Sequence, residues 1–357
     1  MKSSSGAHFV GLDHLRALAC YMVFIWHFTH GRQGVPIPFE GVPAFLPWAL
    51  LDEGHTGVAL FMTLSGYLFA RLLSGRDIQL SRFFFNRALR LLPLLVFVIV
   101  LAGLQLRWQG ADDAALHQYD LQVLWGWWRP SLPNGGWSIT VELHFYLLLP
   151  LLLALQRRSA LWLWAVMAAA VMFRAGWYAQ HGEVQSLAYL TLVGRIDQFL
   201  AGMLFAGFAA RLKGRHALAA ATLLAFMGFY AWFDQAGGFF GFGGYPAKTA
   251  LWVLLPTLEA LAYATLIAWY DQSFRFEDRG WSGALARTGS YSYSIYLLHP
   301  FWVFAAAEWV HRVWPMSSFG EALAWGTGFF LLSIPMGALS MALIEKPFLK
   351  LRRRYIA

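Results

Sequence analysis

Long apolar runs, separated by short polar segments, follow one another along the whole chain. Each run has about 17 to 25 residues, the length that an α-helix needs to cross roughly 30 Å of hydrocarbon. The runs predict an all-α integral membrane protein with about ten transmembrane helices, forming one domain over residues 1–357. The predicted spans are residues 11–31, 55–73, 91–107, 138–155, 160–179, 187–210, 217–233, 250–270, 288–310 and 321–344.

The composition agrees with this pattern, because 59% of the residues are hydrophobic and only 13% are charged. Most Lys and Arg residues fall in alternate connections between the runs, and the positive-inside rule places these connections and both termini in the cytoplasm. Topology therefore explains the net charge of +8. Nucleic acid is not an expected partner, since it would require a basic face on a soluble domain.

The first apolar run contains ionisable residues, which cost at least about 2.5 to 3.5 kcal/mol each in hydrocarbon and so need a partner or a function. Arg16 and His27 are eleven residues apart, so on one helix they share a face and lie about 16.5 Å apart along the axis. They could line a path for a ligand. Alternatively, Arg16 pairs with Asp13 or extends to the interface, and His27 is a satisfied histidine near a helix end.

A pair of arginines in the segment "SRFFFNRALRLLP" is the second candidate site. Arg87 and Arg90 are three residues apart, so they project from one helical face and could together bind phosphate through their planar guanidinium groups. The alternative is a basic flank that orients the third span.

An intramembrane acid, Glu142 in "WSITVELHFYLLLP", is predicted about one turn below the outer surface, at the depth of His27. A carboxylate beside an imidazole orients the ring and favours its charged form, as in the base and orienter pairs of acid–base catalysis. Glu142 could instead pair with an arginine of an outer loop. His144 faces away from it and is expected to pack or to lie at the lipid interface.

Other intramembrane polar residues have weaker signals. We expect Arg195 to pair with a carboxylate of a neighbouring helix, and Pro300 to introduce a kink beside His299 that widens a cavity. Trp137 closes a Trp-, Gly- and Pro-rich segment, which suits either an interfacial aromatic belt or a platform for a sugar ring. Gly66 and its neighbour Ser65 are expected to permit close helix packing.

No metal site is expected. Asp13 precedes His27 by fourteen residues, about 21 Å along the same helix. Asp13 therefore cannot bind the same ion as His27, His30 and Glu142. Cys20 is the single cysteine, which excludes a multi-cysteine site.

Seven segments, taken in order, resemble the membrane-bound acyltransferase-3 family, whose members O-acylate bacterial polysaccharides, lipopolysaccharide, glucans and some small molecules. The resemblance implies ten core helices in the bacterial inner membrane, an acyl-CoA donor on the cytoplasmic side and an acceptor that is often periplasmic. It also implies a stand-alone form without the hydrolase-like domain that many members carry. The segments are "LDHLRALAC" with a later "WH", "GVALFMTLSGYL", "FFFNRALRLLP", "WSITVELHFYLLLP", "GRIDQFLAG", "YSYSIYLLHP" and "EKPF".

The resemblance also implies roles for individual residues. His27 would be the catalytic histidine with Arg16 as its companion, Arg87 and Arg90 would bind the phosphates of the coenzyme, and Glu142 would be the acidic residue of the fourth span. With these roles, we predict His27 as general base with Glu142 as its orienter, and an acyl-histidine intermediate remains the alternative. We expect the pantetheine arm of the donor to pass Arg16.

The expected function is transfer of an acyl group, in the simplest case acetyl, from acetyl-CoA or another acyl-CoA to a hydroxyl of a carbohydrate or glycolipid acceptor. Membrane lipid is an expected partner, and a homo-oligomer is left open. Trp137, Arg195 and His299 are candidate substrate-binding residues. The alternatives are a secondary transporter or channel with an intramembrane polar path, although no inverted repeat is evident, and a purely structural subunit.

Overall fold

The computed structural model describes residues 8–31, 43, 45–241 and 244–356. The two chain ends that were predicted to be cytoplasmic, residues 1–7 and 357, lie outside this part of the chain. Within it, the fold is all-α with no β-strand, and a lone β-bridge joins Ile78 to Ile356. The α-helices are α1 (Val10–His30), α2 (Leu46–Asp52), α3 (Gly57–Leu73), α4 (Leu80–Trp108), α5 (Asp113–Trp125), α6 (Gly136–Arg158), α7 (Ala160–His181), α8 (Gln185–Leu190), α9 (Leu192–Phe208), α10 (His216–Gln235), α11 (Gly238–Gly241), α12 (Leu251–Ser273), α13 (Gly280–Ser290), α14 (Ser292–Leu298), α15 (Val303–Val313), α16 (Phe319–Ser340) and α17 (Lys346–Leu349).

Eight helical stretches of the described chain are long and apolar enough to cross a membrane, and they correspond to eight of the ten predicted spans. Helix α1 is also long enough, with 21 residues, but its histidines, Asp13 and Arg16 make it more polar than these eight. Helix α4 runs for 29 residues, so the segment predicted as a cytoplasmic flank and the third span form one continuous helix.

The predicted span 288–310 is not one helix, which corrects the sequence prediction. Helix α13 ends at Ser290, α14 follows, a 3₁₀ turn occupies His299–Phe301, and α15 begins at Val303. Proline lacks the N–H that would continue the ladder, and its ring clashes with the preceding turn, so Pro300 is compatible with a break here. The predicted kink beside His299 is thus confirmed as a full interruption.

Helices α3 and α9 pack backbone against backbone at the centre of the fold. A Cβ added to Gly66 would overlap the carbonyl of Phe199, and one added to Gly202 would overlap the carbonyl of Thr63. Small residues allow this approach where two helices cross within a membrane. The packing role predicted for Gly66 is confirmed.

Candidate functional site

A cavity of about 220 Å³ follows helix α3. The α3 residues that line it extend from Val58 to Leu72, about 21 Å of helix axis at 1.5 Å per residue. Arg87 lies at one end, over the ring of Phe69, and Tyr296 lies at the other end, with its ring centroid 6.1 Å from that of Phe61. The cavity therefore spans much of the depth of the helical bundle.

Arg87 contacts aromatic faces and no carboxylate at its end of the cavity. Its guanidinium carbon lies 5.2 Å from the ring centroid of Phe69, 5.7 Å from that of Phe83 and 5.9 Å from that of Tyr146. Its Nε is buried without a hydrogen-bond partner, and no carboxylate in the described ranges forms an ion pair with it. A half-buried guanidinium whose Nε–H has no partner is suited to an anionic ligand.

Arg90 lines the same cavity but already has a carboxylate partner. It forms an ion pair with Glu345, which is fully buried and also accepts a hydrogen bond from Ser294. The guanidinium carbon of Arg90 lies 5.2 Å from the ring centroid of Tyr293. The two arginines predicted as a pair thus share a cavity but differ in how far the protein itself compensates their charge.

Glu142 also lines the cavity, and its partners are hydroxyl groups. Its Oε1 accepts hydrogen bonds from Ser65 Oγ, at 3.1 Å, and from the phenol of Tyr146. It forms no hydrogen bond with His27, which corrects the predicted contact between them. The sequence gives the height of a residue along its helix but not the direction in which that face points within the bundle. Ser65, expected only as a packing residue, and Tyr146, one turn after Glu142, were missed as its partners.

His27 is hydrogen-bonded to a second histidine. Its Nδ1 lies 2.9 Å from the carbonyl of Val23 and 3.1 Å from Nε2 of His299, whose own Nδ1 lies 2.9 Å from the carbonyl of Ile295. A carbonyl only accepts, so in neutral His299 Nδ1 carries the proton and Nε2 accepts from Nδ1–H of His27. This network leaves Nε2 of His27 with a free lone pair and with no partner in the described part of the chain. The side chain that is hydrogen-bonded to His27 is therefore His299 and not Glu142.

The cavity ends at Tyr296, before it reaches His27. Tyr296 lines its far end, donates a hydrogen bond to the carbonyl of Gly135 at 3.2 Å, and has its ring centroid 6.1 Å from that of His299. His27 is not among the lining residues. The predicted cavity that joins the arginines to His27 without interruption is thus corrected, because Tyr296 of α14 lines its far end and neither His27 nor His299 of the following 3₁₀ turn lines it.

Arg16 both pairs with Asp13 and lines the cavity, which were predicted as alternatives. Its Nη1 lies 2.6 Å from Oδ1 of Asp13, and both residues line the cavity. The side chain of Arg16 is 32% exposed, against 5% for that of Asp13. Arg16 is thus held by a local ion pair with its guanidinium available to the cavity.

Arg195 does not pair with a carboxylate in the part of the chain that is described, which corrects the predicted ion pair. It is buried, with its guanidinium carbon 4.2 Å from the ring centroid of Tyr189 and 5.4 Å from that of Trp137. The carboxylate two residues later, Asp197, instead binds Arg174 of helix α7. Residues two apart on a helix face different sides, which is why Arg195 and Asp197 belong to different clusters. Trp137 packs inward against Tyr189, at 5.0 Å between ring centroids.

A family model described as "Acyltransferase domain" matches residues 9–345. "Nodulation protein 10" of Rhizobium leguminosarum bv. viciae is 30% identical over 180 residues, 43% of this chain and 47% of that protein. A protein of Staphylococcus aureus (strain COL) named "Putative O-acetyltransferase" is 25% identical over 224 residues, 55% of this chain and 34% of that protein.

The chain spans less than half the length of these curated relatives. No solved structure matches it. Among the described residues, no group of three or more His, Cys, Asp or Glu side chains could hold a metal ion.

Proposed function

Because the chain belongs to the acyltransferase-3 family, we propose that it transfers an acyl group from acyl-CoA to a hydroxyl of a carbohydrate or glycolipid acceptor. One observation supports this proposal above the others. A cavity begins at arginines with free donors and ends at Tyr296, beyond which lies a histidine with an unprotonated ring nitrogen. The arginine end suits a negatively charged acyl donor. The histidine end suits an acceptor hydroxyl that must lose its proton.

The arginine end is proposed to bind the phosphates of the donor. Arg87 offers the unpartnered N–H of its Nε in a partly apolar setting, where charge-assisted hydrogen bonds are strong. The pantetheine arm would then follow helix α3 past Arg16, which faces the same cavity. A path of about 21 Å along α3 suits a long flexible thioester arm better than a small ion.

The histidine end is proposed to perform the chemistry. Nε2 of His27 accepts the proton of the acceptor hydroxyl while the hydroxyl oxygen bonds to the carbonyl carbon of the thioester. The carbon–sulfur bond then breaks, and the departing thiolate takes the proton back from the ring. His299 acts as a positioning residue, since its Nε2 accepts from Nδ1–H of His27 and so holds Nε2 of His27 ready to receive a proton.

The direction of transfer is part of the proposal. The basic connections favour a cytoplasmic location for Arg87 and Arg90, so an acyl-CoA would bind from the inside of the bacterial inner membrane. His27 lies near the opposite end of helix α1, where an acceptor on the outer side could reach it. The names of the Staphylococcus aureus relatives favour acetyl as the group transferred, and acetyl-CoA is the donor that we propose for it.

The transport alternative receives less support. Its proposed path needs Arg16, Arg195, Asp197 and His299 to line one route. Instead, Asp197 is bound by Arg174, Arg195 lies between aromatic rings, and His299 bonds to His27.

The test compares His27→Ala with His144→Ala, a matched histidine whose Nε2 lies 2.9 Å from the carbonyl of Trp127. With purified protein, acetyl-CoA and an envelope glycan acceptor, His27→Ala should lower the release of coenzyme thiol by about 10² to 10⁴-fold. His144→Ala should retain activity. Mass spectrometry of envelope glycans from cells that carry each variant should show the acetyl group lost only with His27→Ala.

Full turnover by folded His27→Ala would remove this residue from the mechanism. Labelled acetyl-CoA supplied without acceptor separates the two chemistries. A label that stays covalently on His27 would replace the general base with an acyl-histidine intermediate.

A further inference from the structure

The segment 352–356, which follows helix α17, is held against helix α4. The side chain of Asn86 both donates to the carbonyl of Arg353, at 2.6 Å, and accepts from its N–H, at 2.9 Å. The N–H of Gln79 donates to the carbonyl of Tyr355 at 2.9 Å, and the ring of Tyr355 is buried against Phe83. These contacts bind main chain as well as side chains, so they fix the path of the last residues.

This path brings one residue of the "RRR" run into the cavity. Arg352 lines the cavity with Arg87 and Arg90, whereas Arg353 and Arg354 are exposed and do not line it. From the sequence, the run is indistinguishable from the basic flank that follows many membrane spans. The fold therefore distinguishes three consecutive arginines that the sequence presents as equivalent.

Arg352 has unused donors in this position. Its Nε donates to the carbonyl of Leu349 at 3.1 Å, and neither Nη group has a hydrogen-bond partner in the described part of the chain. None of the described carboxylates forms an ion pair with Arg352. Burial, and then the charges of Arg87 and Arg90, lower its pKa from the usual arginine value, although it stays protonated. Like charges that face one cavity repel each other until an anion enters it.

We propose that Arg352 is a third arginine of the donor site, and that Arg87, Arg90 and Arg352 together bind a ligand that carries several phosphate groups. The inference rests on the proposed function, because coenzyme A is such a ligand, with a diphosphate and a separate ribose phosphate. The segment 352–356, which follows helix α17, is then a structural part of the donor site, held in place by Asn86.

The test measures binding of coenzyme A itself, without an acyl group, to the purified full chain. Arg352→Ala should raise the Kd for coenzyme A by about ten- to a hundredfold, the range expected for lost charge-assisted hydrogen bonds. Arg354→Ala removes the same charge two residues away, outside the cavity, and should change the Kd by less than about twofold. Arg352→Lys should fall between wild type and Arg352→Ala, since lysine keeps the charge without the planar set of donors.

The outcomes separate the inference from the proposed function. If wild-type protein binds coenzyme A and Arg352→Ala binds it equally well, the third arginine is overturned and the proposed donor stands. Equal weakening by Arg352→Ala and Arg354→Ala would indicate a general effect of surface charge and would also overturn it. If wild-type protein does not bind coenzyme A, the proposed donor fails and the inference fails with it.

Discussion

Two arginines in the helical bundle, buried Arg174 and half-buried Arg87, use their N–H donors in opposite ways. Arg174 uses all of its N–H groups within the protein: its Nε donates to the carbonyl of Val253 at 2.8 Å, and its Nη groups bind both oxygens of Asp197 at 3.0 and 2.6 Å. The remaining donors reach the carbonyl of Gly194 and the hydroxyl of Thr257, each at 3.0 Å. Arg87, by contrast, lies over aromatic rings with its Nε unpartnered.

The difference separates a structural arginine from one that is suited to a ligand. A fully satisfied buried ion pair fixes helices α7, α9 and α12 against one another and leaves no donor for anything else. An unsatisfied buried donor costs free energy in the empty protein, and a bound anion would recover that cost. Substitutions at Asp197, the partner of Arg174, and at Arg87 test this comparison. A substitution at Arg90 tests an arginine that has features of both.

The largest expected effect is on stability, at the Arg174 pair. Asp197→Ala leaves Arg174 buried without its counterion, so we expect the free energy of unfolding to fall by about 3–5 kcal/mol. Thermal unfolding in detergent measures it. The control is Glu277→Ala, which breaks an exposed ion pair with Arg279 and should cost about 0–1 kcal/mol. A variant at Asp197 as stable as wild type would show that the pair is not structural.

The next effect is on donor binding, at Arg87. Arg87→Ala should raise the KM for acyl-CoA by about ten- to a hundredfold, since about 1.5–3 kcal/mol is lost with each charge-assisted hydrogen bond. The Tm should stay near that of wild type, because Arg87 forms no ion pair with a carboxylate of the described chain. Arg82→Ala, on the same helix but exposed, is the matched control. A lowered Tm with an unchanged KM would make Arg87 structural instead.

The smallest effect on binding is expected at Arg90, because Glu345 already compensates its charge. Arg90→Ala should raise the KM less than Arg87→Ala does, and should also lower the free energy of unfolding by about 1–3 kcal/mol, since buried Glu345 loses its partner. The double variant Arg90→Ala with Glu345→Gln should recover stability but not affinity. Recovery of both would show that Arg90 has no part in binding the donor.

The fold class could be predicted because it depends on local properties. Apolar length, the interval between polar connections and the positive-inside bias need no knowledge of neighbours, and eight of the predicted spans have matching helices. The break at Pro300 was signalled by the proline, but its extent depended on α14 and α15 packing as separate pieces. The sequence also placed Arg16, Arg87, Arg90 and Glu142 among candidates that do line one cavity.

By itself, the sequence determined which side chains are polar, how deep each lies along its helix, and which family the chain resembles. Only the tertiary structure decided the partners. In the folded chain, His27 is hydrogen-bonded to His299 and not to Glu142, and Asp197 forms an ion pair with Arg174. Of three adjacent arginines, Arg352 lines the cavity. The reason is physical, since depth follows from the rise per residue of one helix, whereas a contact depends on how several helices are rotated and tilted against one another.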